Sequence, residues 1–254
     1  MRLAMIGRGA IAQYVSNAAI ARGHDIASVI VRADKLGDGR VARIKDLPSA
    51  IDLVVDCAGH SALRQFGPDA LRAGIDVLTV SIGALADQTL EQELTQAGQA
   101  SGAKLILASG AIGALDALRS ARAGDIEHVR YIGRKPPRGW LGSPAEKVLD
   151  LNNLKEAQCH FTGSARVAAI AYPKNANVAA AVALAGIGFD KTEVALIADP
   201  GISQNIHEVH CEGAFGSFSF RIAGMSLPDN PSSSALAAMS VVGALDSLNS
   251  VIRF

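Results

Sequence analysis

Leu3-Ala4-Met5-Ile6-Gly7-Arg8-Gly9-Ala10-Ile11-Ala12 is the stretch on which the fold turns. Its apolar start reads as a strand, and that strand runs straight into Gly-x-Gly-x-x-Ala. An Ala-rich stretch continues to Arg22, and Gly23 stands where a helix C-cap belongs. Strand, tight glycine turn and helix in this order are the setting that a dinucleotide-binding fingerprint requires. Gly7 permits the turn, Gly9 lets the backbone approach a pyrophosphate, and Ala12 is small enough for the helix to pack on the strand. Ala10 and Ile11 begin a helix whose N-terminus offers unpaired N–H groups and a positive dipole end to phosphates. Small residues also recur in tight turns for purely structural reasons. Here strand, helix and spacing agree on cofactor binding.

Working outward, strand and helix patterns alternate through the first 110 residues. Asp25 to Val31 reads as the second strand and Val41 to Ile44 as a short one. Ile51 to Cys57 is an apolar, β-branched run that suits a strand buried on both faces. Helical period covers Ser61 to Ala73 and Asp87 to Ala100, with strands over Asp76 to Val80 and Lys104 to Leu107. This alternation predicts an open, doubly wound, mostly parallel α/β sheet of the Rossmann type. After Ser109-Gly110-Ala111 the pattern changes. A helix is expected over Gly113 to Arg122, then a strand over Ile126 to Arg134 that runs into a loop at Lys135-Pro136-Pro137-Arg138-Gly139. Strand candidates follow at Cys159 to Ser164, Glu193 to Ala198, Ile206 to Gly213 and Ser217 to Ile222. Ala-rich helices over Ala165 to Ala171 and Val178 to Gly186 interrupt them. The second domain is therefore expected to be α/β with a mixed or antiparallel sheet. Pro228 to Pro231 reads as a connection and Ser232 to Asn249 as a long helix. The expected division is residues 1–110 with 230–254, and residues 111–229.

Composition narrows the function. Lys+Arg and Asp+Glu are 24 each among 254 residues, so no basic excess asks for nucleic acid. Hydrophobic residues make up 49% and aromatics 4%, so the core must be built from Ala, Val, Leu and Ile. The longest apolar run, Val178 to Phe189, falls well short of the ~20 residues that span a bilayer. Cys57, Cys159 and Cys211 lie far apart and are odd in number, which predicts neither a disulfide framework nor a zinc site. With no basic and apolar leader before the first strand, a reducing cytoplasm is the expected compartment.

Several clusters carry candidate chemistry. A strictly NAD-binding site places an acid after the second strand, to hold the ribose 2′-hydroxyl. This chain has Val31-Arg32-Ala33-Asp34-Lys35 there, and the Arg32 guanidinium suits a 2′-phosphate. NADP is expected to be used at least as readily as NAD, unless Arg32 is only a solvated loop residue. His60 follows the buried strand at the sheet edge where ligands sit, either lining a pocket or as a loop histidine without a role. Ser109 to Ala114 is a second small-residue loop, able to face a ligand or to act as a hinge. Tyr172-Pro173-Lys174-Asn175-Ala176-Asn177 is a polar insert between helices. Asn177 is expected to cap the second helix. The remaining amide and lysine exceed what a cap requires and suit a carboxamide or a carboxylate. In Asn205-Ile206-His207-Glu208-Val209-His210 the two histidines fall on opposite faces of a strand, which argues against joint chelation of a metal. His207 beside Asn205 suits acid–base work better, with a structural histidine as the other reading.

Taken in order, these clusters resemble the L-aspartate dehydrogenase family, the short NAD(P)-dependent amino-acid dehydrogenases linked to NAD biosynthesis. The matching stretches are Gly7 to Ile11, Cys57-Ala58-Gly59-His60, Ser109 to Ala117, Gly133-Arg134-Lys135-Pro136, Tyr172 to Ala179, and Ala198-Asp199-Pro200 with Asn205-Ile206-His207. The resemblance implies a Rossmann domain completed by the last helix, and an inserted α/β domain with substrate and homodimer contacts. It implies His207 as catalytic residue, and cofactor contacts at the Ala111 backbone amide and at Asn177; Ala58 and Gly59, in the turn after the buried strand, are further cofactor-binding candidates. The implied reaction is oxidative deamination of L-aspartate to iminoaspartate, then oxaloacetate and ammonia. Lys135, Lys174, Asn175 and His60 are the candidates for the two substrate carboxylates. A dihydrodipicolinate-reductase-like or homoserine-dehydrogenase-like enzyme, or a non-catalytic NADP(H) sensor, would share the frame.

Overall fold

Short β-branched and leucine-rich runs pair in parallel to start the first unit. A computed structural model describes residues 1–228 and 230–252, apart from the side chains of Lys174, Pro231 and Ser232. It divides into Met1–Gly110 together with the chain from Ser226 onward, and Ala111–Met225. In the first unit β1 (Arg2–Ile6), α1 (Ala10–Ala21), β2 (Asp25–Ile30), β3 (Arg40–Val41), β4 (Leu53–Asp56), α2 (His60–Arg72), β5 (Asp76–Thr79), α3 (Gln88–Ser101) and β6 (Leu105–Leu107) alternate. The sheet order is β3-β2-β1-β4-β5-β6, and every pair is parallel. Ile30, Ile6, Asp56, Thr79 and Leu107 stand in one row across the strands. The turns after β1 and β4 therefore leave the sheet along the same edge.

The second unit begins with α4 (Leu115–Ala121) and β7 (Ile126–Lys135), then β8 (Gln158–Ser164), α5 (Ala165–Ala171), α6 (Asn177–Ala185), β9 (Glu193–Ala198), β10 (Asn205–Gly213) and β11 (Gly216–Gly224). Its order is β11-β10-β7-β9-β8. Only β7 and β9 are parallel, so the sheet is mixed. Chain from Ser226 returns to the first unit as β12 (Ser226–Leu227), β13 (Asn230–Ser234) and α7 (Ala235–Asn249).

The core of the first unit explains that return. Ala12, Val15 and Ala19 form the buried stripe of α1. They join Leu3, Met5, Val55 and Leu78 with Val241, Val242 and Leu245 of α7 in one cluster. Val241 and Leu245 are fully buried, each contributing roughly 1.5–3 kcal/mol. Outside the cluster, Arg22 Nε donates to both carboxylate oxygens of Asp246, at 2.9 and 3.1 Å.

Several boundaries depart from the sequence reading. The last helix starts at Ala235, because residues 230–234 pair with Ser226–Leu227 and take up Ser232 and Ser233. Ser234 is the cap, accepting from the Ala237 N–H. Asn177 does not cap α6. Pro173–Asn175 form a 3-10 turn that carries Ala176 into helical backbone, so the extended cap residue a side chain folds back from is missing. The short strand expected over Val41 to Ile44 is only Arg40–Val41, and Ile44–Asp46 is a 3-10 turn. Lys135 belongs to β7 rather than to the following loop, since Arg134 and Lys135 pair with Ile197 and Ala198.

Candidate active site

In the first unit, the fingerprint turn fits a dinucleotide. Gly7 has φ +95°, and a Cβ there would stand 2.7 Å from the Ala58 Cβ. The turns carrying Gly7 and Ala58 thus pack at a distance only glycine allows. Nothing lies within 4 Å of a Cβ built on Gly9, so the residue before Ala10 and Ile11 faces open space. Behind Ala58 and Gly59 lies a group the sequence reading missed. The Asp56 carboxylate is fully buried. It accepts from Thr79 Oγ1 at 2.7 Å, Ser81 Oγ at 2.6 Å and the Ala58 N–H at 2.9 Å. The Ser81 N–H in turn donates to Thr79 Oγ1. Burial raises the Asp56 pKa, while the three donors and the charge of His60, the first residue of α2, oppose that rise. A carboxylate ending an otherwise apolar strand was the available signal. Arg32 precedes a 3-10 turn, exposed, with Nε 3.8 Å from Asp34 Oδ1.

In the second unit, β7 lies between β10 and β9. Alternation puts Tyr131, Gly133 and Lys135 on one face of β7, and pairing sets His207 beside Gly133. Tyr131 and Lys135 therefore flank His207 diagonally. The bare Gly133 makes room: a Cβ there would stand 2.8 Å from Tyr131 Oη. That phenol oxygen lies 2.7 Å from His207 Nδ1, with the two rings stacked at 17°. His207 is 6% exposed. Burial first, and the Lys135 charge second, lower its pKa to about 4, so the imidazole is neutral at pH 7. Burial brings the Lys135 ammonium down to about 8.

Lys135 Nζ donates to Asn175 Oδ1 and lies 5.2 Å from the centroid of the Trp140 ring. Trp140 meets His160 edge-on, and His160 Nδ1 lies 3.2 Å from Tyr172 Oη. His207, Lys135 and Asn175 are thus brought into one cluster. Asn177 opens α6 and Ala111 opens the unit; the side chain of Lys174 lies outside the described residues. His210 faces the other side of β10, bonded to Ser219 Oγ at 2.8 Å, so the two histidines do not converge. Among the described residues no group of three or more His, Cys, Asp or Glu is placed to hold a metal ion. Arg134 and Asp199, each in a stretch quoted from the sequence, are joined at 3.1 Å, a pairing the sequence did not show.

Two histidines with depressed pKa give a test of stability. Burial lowers His160 to about 4 as well. Between pH 6.5 and 4 the unfolded chain binds protons that the folded imidazoles refuse, so this contribution is present above 6.5 and is lost as pH falls. Urea midpoints of wild type and His160→Gln are expected to converge on acidification from pH 7 to 5, because glutamine carries no such loss. A constant gap between the two midpoints would contradict this assignment.

A dinucleotide-binding parallel sheet joined to a second unit with a buried histidine beside a part-buried lysine defines a pyridine-nucleotide dehydrogenase. Residues 116–248 match the family described as aspartate dehydrogenase, C-terminal, and residues 7–108 that described as homoserine dehydrogenase, NAD binding domain. The chain is 54% identical over 260 residues to the L-aspartate dehydrogenase of Ruegeria pomeroyi, covering 100% of this chain and 94% of that one. It is 43% identical over 257 residues to that of a Polaromonas species, covering 96% of each. The solved aspartate dehydrogenase from Thermotoga maritima superposes with a TM-score of 0.81 at 30% identity, over 100% of this chain and 99% of that one. The chain belongs to the L-aspartate dehydrogenase family.

Proposed function

We propose that the chain oxidises L-aspartate to iminoaspartate with NAD or NADP, and that water then releases oxaloacetate and ammonia, with His207 as the acid–base residue. The observation that carries the reading is the neutral, buried His207 flanked by a cationic Lys135. Bound NAD(P) supplies the acceptor for the hydride that leaves the substrate Cα. Gly7, Gly9, Ala10, Ile11, Ala58 and Gly59 are assigned to hold it, with Ala111 and Asn177. The substrate amine must lose a proton before its C–N bond becomes an imine, and a neutral imidazole takes that proton. The same group activates the water that adds to the imine carbon, after which ammonia departs. Lys135, steadied by Asn175, is assigned to one substrate carboxylate, with His60 and Lys174 as the further candidates. Association as a homodimer, as the family resemblance implies, and residence in the cytoplasm, where the three free cysteines stay thiols, belong to the same reading.

Assaying amino-acid-dependent reduction of NAD and NADP tests it. Aspartate is expected to stand out from a panel of amino acids, and no aspartate-dependent reduction of either cofactor would overturn the reading. The same assay addresses cofactor choice. The pairing of Arg32 with Asp34 is exposed and weak, which leaves the guanidinium able to turn to a 2′-phosphate. Arg32→Ala is expected to lower kcat/KM for NADP by about 10- to 100-fold while NAD is little affected. Equal losses with both cofactors would remove Arg32 from cofactor selection.

A further inference from the structure

We propose that Tyr131 is a positioning residue that fixes the tautomer of His207: its phenol O–H, seated over Gly133, donates to Nδ1 and leaves the imidazole proton on Nε2. The inference deepens the reading of His207 as the acid–base residue and rests on that reading for its effect on turnover. The tautomer itself rests on the geometry alone.

A contact of 2.7 Å between a phenol and an imidazole nitrogen can be made in two ways. Either the phenol donates to a bare Nδ1, or an Nδ1–H donates to the phenol oxygen. In the second arrangement the phenol hydrogen needs another acceptor. Tyr131 is 2% exposed, and among the described residues its hydroxyl has no partner but His207. Leaving a buried hydroxyl proton without an acceptor disfavours that arrangement by roughly tenfold or more. The first arrangement gives the phenol hydrogen its acceptor and Nδ1 its donor. Burial also raises the phenol pKa above its ordinary value, so Tyr131 stays a donor throughout the working range.

Among the described residues, no other side chain is bonded to the Tyr131 hydroxyl or to His207 Nδ1. β11 sets Ile222 beside His207, with Phe220 and Gly224 two residues to either side on the same face. β9 contributes Val194, Leu196 and Ala198 to that face. Lys135 on β7 is the charged group that acts on the ring, and it disfavours the imidazolium. Gly133 completes the device, because a Cβ at that position would collide with the phenol oxygen.

A ring held this way meets its substrate through an N–H. It acts as a base at Nε2 only in the minor tautomer, so the phenol also sets what fraction of His207 is ready for that step. Nitrogen-15 spectra of the full chain with labelled histidine, assigned by difference against His207→Gln, read the tautomer directly. At pH 8 the wild type is expected to show a bare Nδ1 and a protonated Nε2 at His207. Tyr131→Phe, which keeps the ring packing, is expected to show both tautomers. It is also expected to move the acid limb of kcat/KM for aspartate to higher pH, because the neutral ring loses its donor. Gly133→Ala, which pushes the phenol aside, is expected to shift the limb in the same direction. A proton on Nδ1 in the wild type overturns the proposal, as do an unchanged tautomer and acid limb in Tyr131→Phe. Failure of the aspartate reading would leave the wild-type spectrum as expected, so the two failures are distinguishable.

Discussion

Replacing His207 with alanine is expected to lower kcat for aspartate oxidation by about 10²- to 10⁴-fold, the range over which positioned proton transfer contributes. The residue sits on β10, flanked by Tyr131 and Lys135 on the neighbouring strand. Loss of the ring removes the neutral imidazole that stands on β10 diagonally from Lys135, and Asn175, which accepts from Lys135, cannot take its place as a base. The fingerprint turn at Gly7 and Gly9 belongs to the other unit and is untouched by the change. NAD(P)H affinity, read by fluorescence titration, is therefore expected to stay close to wild type while turnover collapses. His207→Gln keeps most of the buried volume and separates lost chemistry from a packing defect. Near-normal turnover in both variants would take His207 out of the mechanism.

Asp56→Ala is expected to cost about 3–9 kcal/mol of stability, since three donors lose their acceptor at once and each stranded donor costs roughly 1–3 kcal/mol. Set against a typical total of about 5–15 kcal/mol, that is a large share. Thr79 ends β5, Ser81 follows it and Ala58 lies in the turn from β4 to α2, so the carboxylate at the end of β4 ties together the edge along which the strands end. Asp56→Asn is expected to be milder, because the two hydroxyls can turn to accept from the amide. Urea unfolding of both variants measures the ranking. Looser binding of NAD(P)H to Asp56→Ala is expected as well, through the Ala58–Gly59 turn. An unchanged urea midpoint in Asp56→Ala would mean that the network contributes nothing net.

Much of this was legible in the residues themselves. The parallel sheet follows from local signals: short apolar runs, helical period between them, and glycines at the turns. The opposite facing of His207 and His210 was legible for the same reason, since alternation along a strand is a property of neighbours. Tyr131 was not legible. Its partner stands 76 residues away, and only the pairing of β7 with β10 places the phenol beside the imidazole. Gly133 reads as an ordinary strand glycine until that register is known. The capping role expected of Asn177 failed because the preceding 3-10 turn overrode the local preference. Lys135 looked like a loop residue because Pro136 and Pro137 follow it, yet pairing with Ala198 keeps it in the strand.

The closing of the first unit by α7 has a consequence for how the chain is made. Leu3, Met5 and the buried stripe of α1 are covered by Val241, Val242 and Leu245. Those residues leave the ribosome only after the whole of Ala111–Met225. At about 5–20 residues per second, that intervening stretch takes roughly 5–25 s to synthesise. For that interval the nascent dinucleotide-binding sheet carries an uncovered apolar flank, while the contiguous second unit emerges with every strand of its own sheet in hand. The middle of the chain is thus free to finish folding before its beginning does, and the early flank is the surface that a nascent-chain chaperone would meet.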